Sequence, residues 1–417
     1  MLKGKFLSKL KQIGAGATVL SLILLTACGG GGGAAGSDKA KDSSPSPGDA
    51  SNVTIKVGVI MSFSGPFAAL SNDIKEGIDL YLEQNKQMLG KNKVEVKYED
   101  DEGNPQVGLR KYRQLVSSEK INLLIAPLLS NVAYALRDEV EKDKMITIVP
   151  NAAANDISWA QKSDYIYRVS LSNWQGGHNA GAYIAQNIGK KAITVANDYS
   201  AGKEHISAFK AAFEAAGGKV VKEIYSKIGT NDYGPYVTEI AKEKPEVVYS
   251  FLGGNEGIRL IQQYSDFGLK GQIPLTGSPE FGDMQIITAT GDAAEGIVSG
   301  VFYTPWLEND ENKKFAEAYQ KKYNKLPNMF SVAGFDSAKV LDKAVSETGN
   351  LKTEDLIKVL KGISWDSPRG AVTLDPKTNN VIQDFYIVKN TKKDNQVVPV
   401  TIQKIDKVTM PETAPAK

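Results

Sequence analysis

VTIKVGVIMSFSGPFAALSNDIKEGIDLYL, residues Val53 to Leu82, holds a strand, a loop and a helix in succession. Ile55, Val57, Val59 and Ile60 around Gly58 make the short apolar run of a buried parallel strand. SFSGP breaks it. Ile74, Ile78, Tyr81 and Leu82 then recur at four- and three-residue spacing, the stripe of an amphipathic helix. The same alternation returns to about residue 300. A loop leaving the carboxyl end of such a strand is where an open α/β sheet binds a ligand. Residues Ser62 to Ser71 contain no His, Cys, Asp, Glu or Lys. Their hydroxyls, Ser64 among them, and their backbone N–H groups suit holding a ligand rather than cutting one.

Residues 1–27 read as a targeting segment. Lys3, Lys5, Lys9 and Lys11 precede a largely apolar run, Ile13 to Ala27, too short for a comfortable transmembrane helix. Cys28 is the only cysteine of the chain, which leaves no intramolecular disulfide. Gly29 to Asn52 opens with five glycines and has no apolar periodicity, the composition of a flexible tether. The whole chain carries 50 basic and 48 acidic residues; without the four leader lysines the balance is 46 to 48. No basic cluster stands out, which argues against nucleic acid as a partner. The roughly 355 residues between tether and tail exceed one comfortable core and suit two lobes.

Along the chain, Lys93 to Tyr98 alternates as a strand. The acids Glu99 to Glu102 after it lack the spaced ligands of a calcium loop; they read as a solvated turn before a helix starting near Pro105. Ile121 to Ile125 is a strand, and a helix follows Leu129. Ser130 and the N–H groups after it lie at that helix's amino terminus, where a carboxylate or phosphate can sit; a plain helix cap is the alternative. Met145 to Val149 and Tyr165 to Val169 are further strands, the first followed by the small-residue loop Asn151 to Asn155. The Asn173-Trp174-Gln175-Gly176-Gly177 run reads as a first crossing between lobes, with Trp174 either lining a cleft or packed between domains.

The second lobe repeats the pattern, with strands at Ala192–Ala196, Val220–Tyr225, Val247–Phe251, Ile273–Leu275 and Gly296–Phe302. Glu280 is a lone acid in a loop of small residues, a candidate for an ammonium group or a surface glutamate. Tyr303 to Trp306 is a second crossing. Ala371–Leu374 and Ile382–Val388 are a closing pair of strands. Residues 409–417 look frayed and disordered. The expected division is 53–171 with 303–380, and 172–302 with 381–408. His178 and His205 lack any metal-ligand pattern, and no cofactor motif or Ser–His–acid spacing appears. The expectation is a protein that is not an enzyme and uses no metal or cofactor.

The order of these elements resembles the branched-chain amino-acid (Leu/Ile/Val-type) family of substrate-binding proteins of ABC transporters. The segments that carry the likeness are VGVIMSFSGPFA at Val57–Ala68, YEDDEGNP at Tyr98–Pro105, INLLIAPLLS at Ile121–Ser130, ITIVPNAA at Ile146–Ala153, GDAAEGIVSG at Gly291–Gly300 and RGAVTLDP at Arg369–Pro376. Leu25-Thr26-Ala27-Cys28 is similar to the lipobox of bacterial lipoproteins, which implies a lipid on Cys28 and a membrane anchor outside the cytoplasm; an ordinary signal peptide with a chance cysteine is the alternative.

The resemblance implies a type I periplasmic binding fold, α/β, of two Rossmann-like lobes with parallel central sheets joined by three crossings. It implies that the position of Ser130 binds a ligand carboxylate, that Asn151 and Ala153 help at the same end, and that Glu280 takes an ammonium. The partners implied are a small polar solute, foremost an amino acid, and permease subunits; the protein is expected to be a monomer.

The sequence also departs from the family's amino-acid binders. Ala201 stands where Tyr is common before Gly, Gly253 where another tyrosine occurs, Ala153 where threonine is common, and Leu70 near a usual aromatic. Aromatic lining is therefore expected to be reduced, with Tyr199, Trp174 or Phe281 as replacements. The family also includes binders of amides, urea and aromatic acids, and a ligand sensor on the same scaffold is a further alternative.

Overall fold

The computed structural model describes residues 53–415. Cys28 and the leader and tether readings lie outside the described residues. In chain order the first lobe runs β1 (Ile55–Met61), α1 (Ala68–Gln84), β2 (Met88–Leu89), β3 (Asn92–Asp100), α2 (Pro105–Gln114), β4 (Leu123–Ile125), α3 (Ser130–Asp143), β5 (Thr147–Val149) and β6 (Ile166–Arg168). The chain then enters α4 (Asn173–Asn187), β7 (Lys191–Asn197), α5 (Ser200–Ala215), β8 (Lys219–Ser226), α6 (Gly234–Glu243), β9 (Val247–Phe251), α7 (Gly254–Asp266), β10 (Leu275–Gly277), α8 (Met284–Thr290) and β11 (Val298–Val301). It closes with α9 (Asp310–Tyr323), α10 (Met329–Thr348), α11 (Thr353–Leu360), β12 (Ser364–Ser367), β13 (Gly370–Leu374), β14 (Val381–Lys393) and β15 (Gln396–Val408).

Two sheets result. The first has the order β2-β3-β1-β4-β5-β6; β1 is central and parallel to both β3 and β4, with Val57 opposite Val96 and Leu123. The second has the order β12-β13-β14-β11-β10-β9-β7-β8, with β15 added alongside β14. It is parallel from β8 to β11 and antiparallel beyond, so this sheet is mixed rather than purely parallel. Strand β14 starts beside β13, with Ile382 opposite Thr373, and continues beside β11, with Tyr386 opposite Val301. Strand alternation sorts the second core. Ile193, Val195 and Val248 face the cluster under α6, α7 and α8, while Ala192, Ala196, Val247 and Tyr249 face the cluster under α4 and α5. Each Val or Ile side chain among them removed from water contributes roughly 1.5–3 kcal/mol.

Several expectations change. The acids of residues 99–102 are a solvated turn only at Glu102, which is exposed before α2; Glu99 and Asp100 end β3. Asp101 is buried and accepts from Ser62 Oγ at 2.6 Å and Gly103 N at 2.8 Å, and Asp100 accepts from Phe63 N at 2.9 Å. They tie the first cleft loop down, while Asn104 caps α2 through Gln106 N. Gly176 and Gly177, part of the run read as a first crossing, are helical. They lie inside α4, where a Cβ on Gly177 would stand 2.4 Å from the carbonyl oxygen of His205, so they permit α4 to press against α5. Residues 409–417 are not a frayed end throughout. Met410 is buried and the Pro411 carbonyl accepts from Trp159 Nε1 at 2.7 Å. The sequence reading passed over α8, β12 and β15. The first two are short, and β15 has Lys, Asp and Gln along one exposed edge, which hides the strand alternation.

Candidate functional site

The strands of both sheets point their carboxyl ends at one another, and the loops leaving them enclose a cavity. From the first lobe come Leu70 and the loops after β4, β5 and β6; from the second come the loops after β7, β9 and β10.

Of the residues expected from sequence, Ser130, Asn151, Ala153, Leu70, Tyr199, Ala201, Gly253 and Glu280 all line this cavity. Ser64 and Trp174 do not. Ser64 is exposed at the start of a 3-10 turn whose backbone it does not cap through its side chain. Trp174 is turned along α4 and stacks on His178, with ring centroids 4.3 Å apart. Phe281 is fully buried in the second-lobe core rather than facing the ligand space. Aromatic side chains line the cavity all the same. Phe67, Phe251, Phe302, Phe330 and Tyr199 surround the cavity together with Leu128, Leu129 and Met329. Phe67, Leu128 and Leu129 lie inside the quoted segments and Tyr199 was expected, whereas Phe251, Phe302, Met329 and Phe330 lie outside those segments. Phe251 closes a strand, and Phe302, Met329 and Phe330 come from the second crossing and the start of α10.

The polar groups gather at two ends. At the first-lobe end α3 begins at Ser130. Its preceding residue, Leu129, is extended (φ −103°, ψ 142°) and gives no side-chain cap, so the first-turn N–H groups face the cavity without one. Asn151 is held by its Nδ2 donating to the Leu128 carbonyl at 2.9 Å. Asn173 donates through Nδ2 to Glu204 at 3.0 Å, which leaves its Oδ1 buried and without a partner among the described residues; Ser170 Oγ is in the same condition. Such unpartnered groups are costly unless a ligand satisfies them.

At the second-lobe end Glu280 accepts from Ser278 Oγ and forms no ion pair among the described residues. Withdrawal from water raises its pKa above the ordinary carboxylate value, against the opposing pull of that hydrogen bond. Enclosure also raises the Tyr199 phenol, helped by the nearby Glu280. His205 is buried, bonds Tyr249 Oη through Nε2 at 2.7 Å and stacks on Phe251 at 4.3 Å; desolvation pushes its pKa down to about 3, so it is neutral. Gly253 sits where a Cβ would be 3.5 Å from Glu280 Cγ and 3.9 Å from Leu70 Cδ1, leaving room for no larger side chain without loss of cavity. Among the described residues no lysine or arginine lines the cavity.

The lobes touch around it. A Cβ on Gly254, in the second lobe, would stand 2.8 Å from the carbonyl oxygen of Pro66 in the first. Asp283 Oδ2, in the second lobe, accepts from Met329 N, in the first, at 3.0 Å.

The profile of the periplasmic binding protein family matches residues 54–395. The chain belongs to that family. Its relatives include the Leu/Ile/Val-binding protein homolog 6 of Brucella melitensis, 31% identical over 82% of this chain and 88% of that one. Two solved structures from R. palustris are similar over most of this chain. One is an ABC-transporter solute-binding protein in complex with benzoate, 32% identical, TM-score 0.82, covering 87% of this chain and 99% of that one. The other is a solute-binding protein in complex with 4-hydroxybenzoate, 31% identical, TM-score 0.81, covering 85% and 97%. This periplasmic binding protein is therefore an extracytoplasmic, non-catalytic solute-binding component of an ABC transporter, with the bilobed type I fold, and it works with membrane permease subunits.

Proposed function

We propose that the protein captures an aromatic carboxylate of the 4-hydroxybenzoate kind between its lobes and delivers it to the permease. The observation that carries this is the cavity itself: an apolar box of Phe67, Phe251, Phe302 and Phe330 with one polar pole at each end and no lysine or arginine among the described lining residues. A flat ring fills the box. Its carboxylate meets Ser130 and the amino terminus of α3, where the helix dipole and free N–H groups favour an anion. A ring hydroxyl opposite it donates to Glu280. The benzoate and 4-hydroxybenzoate complexes of the related structures support the reading. A branched-chain amino acid, the earlier expectation, would place an ammonium at Glu280 but leave much of the aromatic wall uncovered.

Each lobe holds one pole, so a ligand bridging both favours the closed arrangement over the open one. Calorimetric titration of residues 29–417 with 4-hydroxybenzoate, benzoate and leucine tests the proposal. The expected order is 4-hydroxybenzoate first, with leucine at least about tenfold weaker; leucine binding more tightly than both aromatic acids overturns it. We also propose that Cys28 carries the lipid that anchors the protein, which intact-mass analysis of the membrane fraction reads directly.

A further inference from the structure

The binding machinery described above leaves one buried cation unused. Arg168, at the end of β6, is 1% exposed. Its five N–H groups are all engaged, and every acceptor is neutral. Nε donates to Asn380 Oδ1 at 2.6 Å, Nη1 to the carbonyls of Ala154 at 2.6 Å and Ala152 at 3.3 Å, and Nη2 to Ser158 Oγ at 2.7 Å and Met410 Sδ at 3.7 Å. Arg369, the other fully buried arginine, is instead paired with Asp336 at 2.9 Å. A buried guanidinium without a carboxylate is costly, and proteins usually pair it. Burial pushes Arg168 down to about 10, so it remains charged at neutral pH.

Its position gives the charge a use. The two carbonyls it holds flank Ala153, which lines the carboxylate end of the cavity. The acid that faces this loop is Glu204, whose Oε2 accepts from Asn155 N at 2.7 Å. Glu204 belongs to α5 of the second lobe, whereas Arg168 is built into the first lobe. We infer that Arg168 is a positioning and specificity-determining residue: from behind the Ala152–Ala154 loop it supplies the positive field that selects a net-anionic ligand on the first lobe, and Glu204 offsets part of that field on closure. The inference rests on the aromatic-acid reading above. It assigns discrimination between an acid and its neutral isostere to a residue that never touches the ligand.

The test compares affinities for 4-hydroxybenzoate and the uncharged 4-hydroxybenzamide in three proteins. In Arg168→Gln the acid-over-amide ratio is expected to fall about tenfold, and in Glu204→Gln to rise, because the field changes in opposite senses. A purely structural role would weaken acid and amide equally and leave both ratios unchanged, which overturns the inference. Arg168→Lys, which keeps the charge, should restore much of the ratio. Should Arg168→Gln not fold, the wild-type protein still decides. The carboxyl-¹³C shift of bound, labelled 4-hydroxybenzoate is expected to titrate at lower pH than that of the free acid; a bound pKa equal to or above the free value overturns the inference. If leucine proves to be the tight ligand, the aromatic-acid reading fails separately, and the same ratios are measured with leucine and its amide.

Discussion

The Tyr134 hydroxyl on α3 donates to Glu204 Oε1 on α5 at 2.6 Å, joining the two lobes through a single carboxylate that also takes the Asn155 amide and Asn173 Nδ2. None of these partners is a cation. The contact crosses between the lobes, and a hydrogen bond to a charged group contributes roughly 1.5–3 kcal/mol. Tyr134→Phe removes one donor from Glu204, and the 3.3 Å acceptor of Asp156 N, without opening a cavity. The closed state should lose about tenfold or more in its equilibrium with the open state. The expected result is weaker binding of every ligand by a similar factor, with unchanged melting of the unliganded protein. Calorimetry checks the first and a thermal melt the second. An unchanged affinity would show that this bond forms in the open state as well.

Asp283 is the second bridge, and it titrates in the physiological range. Burial raises its pKa to about 7, against the lowering effect of the Met329 and Gln285 amides; the neighbouring charges of Asp73 and Glu280 add to the rise. Asp73 itself is engaged by Lys325 at 2.6 Å and by Asn328 Nδ2. The folded value exceeds the unfolded carboxylate value of 3.8. The folded state therefore binds more protons between the two, and stability falls as pH rises from about 4 through 7. The wild-type protein should melt a few degrees lower at pH 8 than at pH 5 when each is measured against Asp283→Asn, which cannot ionise. Parallel slopes for the two proteins would contradict this assignment.

Gly177→Ala should destabilise although it lies inside a helix, where that change normally gains up to about 1 kcal/mol. The added methyl would sit 2.4 Å from the His205 carbonyl and 2.9 Å from Phe209 N, both backbone atoms of α5. Overpacking of this kind costs roughly 1–3 kcal/mol. A lower melting temperature is expected. Weaker ligand binding should accompany it, because α5 carries Ala201, His205 and Glu204 against the site. A higher melting temperature would mean that α4 and α5 part without cost.

The fold was legible because its strands are short apolar runs closed by glycine, proline and small residues, and because α1, α5 and α7 carry clean stripes. Ser130 and Asn151 follow strands that end where the sequence places them, at Ile125 and Val149; Glu280 came through the family resemblance, since the strand before it, read as 273–275, runs Leu275–Gly277. The aromatic wall was not legible. Phe67 looks like loop filler, Phe251 like the last residue of a buried strand, and Met329 and Phe330 like the apolar start of α10. Only three-dimensional convergence turns them toward one space. Trp174 misled for the opposite reason: an aromatic beside Asn173 at a lobe crossing suggests a cleft, but the turn of α4 sets it against His178. Arg168 sits in a strand that reads simply as Ile-Tyr-Arg, and no pattern signals that its charge stays unpaired.

Glu280 separates the two ligand classes. Its enclosed carboxyl has a raised pKa and no cationic partner among the described residues. A ring hydroxyl needs from it only an acceptor, which an amide oxygen also provides. An ammonium needs its charge. Glu280→Gln should therefore lower affinity for 4-hydroxybenzoate by no more than about threefold, a small part of the 1.5–3 kcal/mol that a bond to a charged group is worth. Glu280→Leu should erase the preference for 4-hydroxybenzoate over benzoate, since it leaves the hydroxyl buried without an acceptor. Titration of both variants with both acids reads the two effects. A loss of more than about a hundredfold in Glu280→Gln would show that the carboxylate faces a positive charge, and the occupant of the cavity would then be a zwitterion.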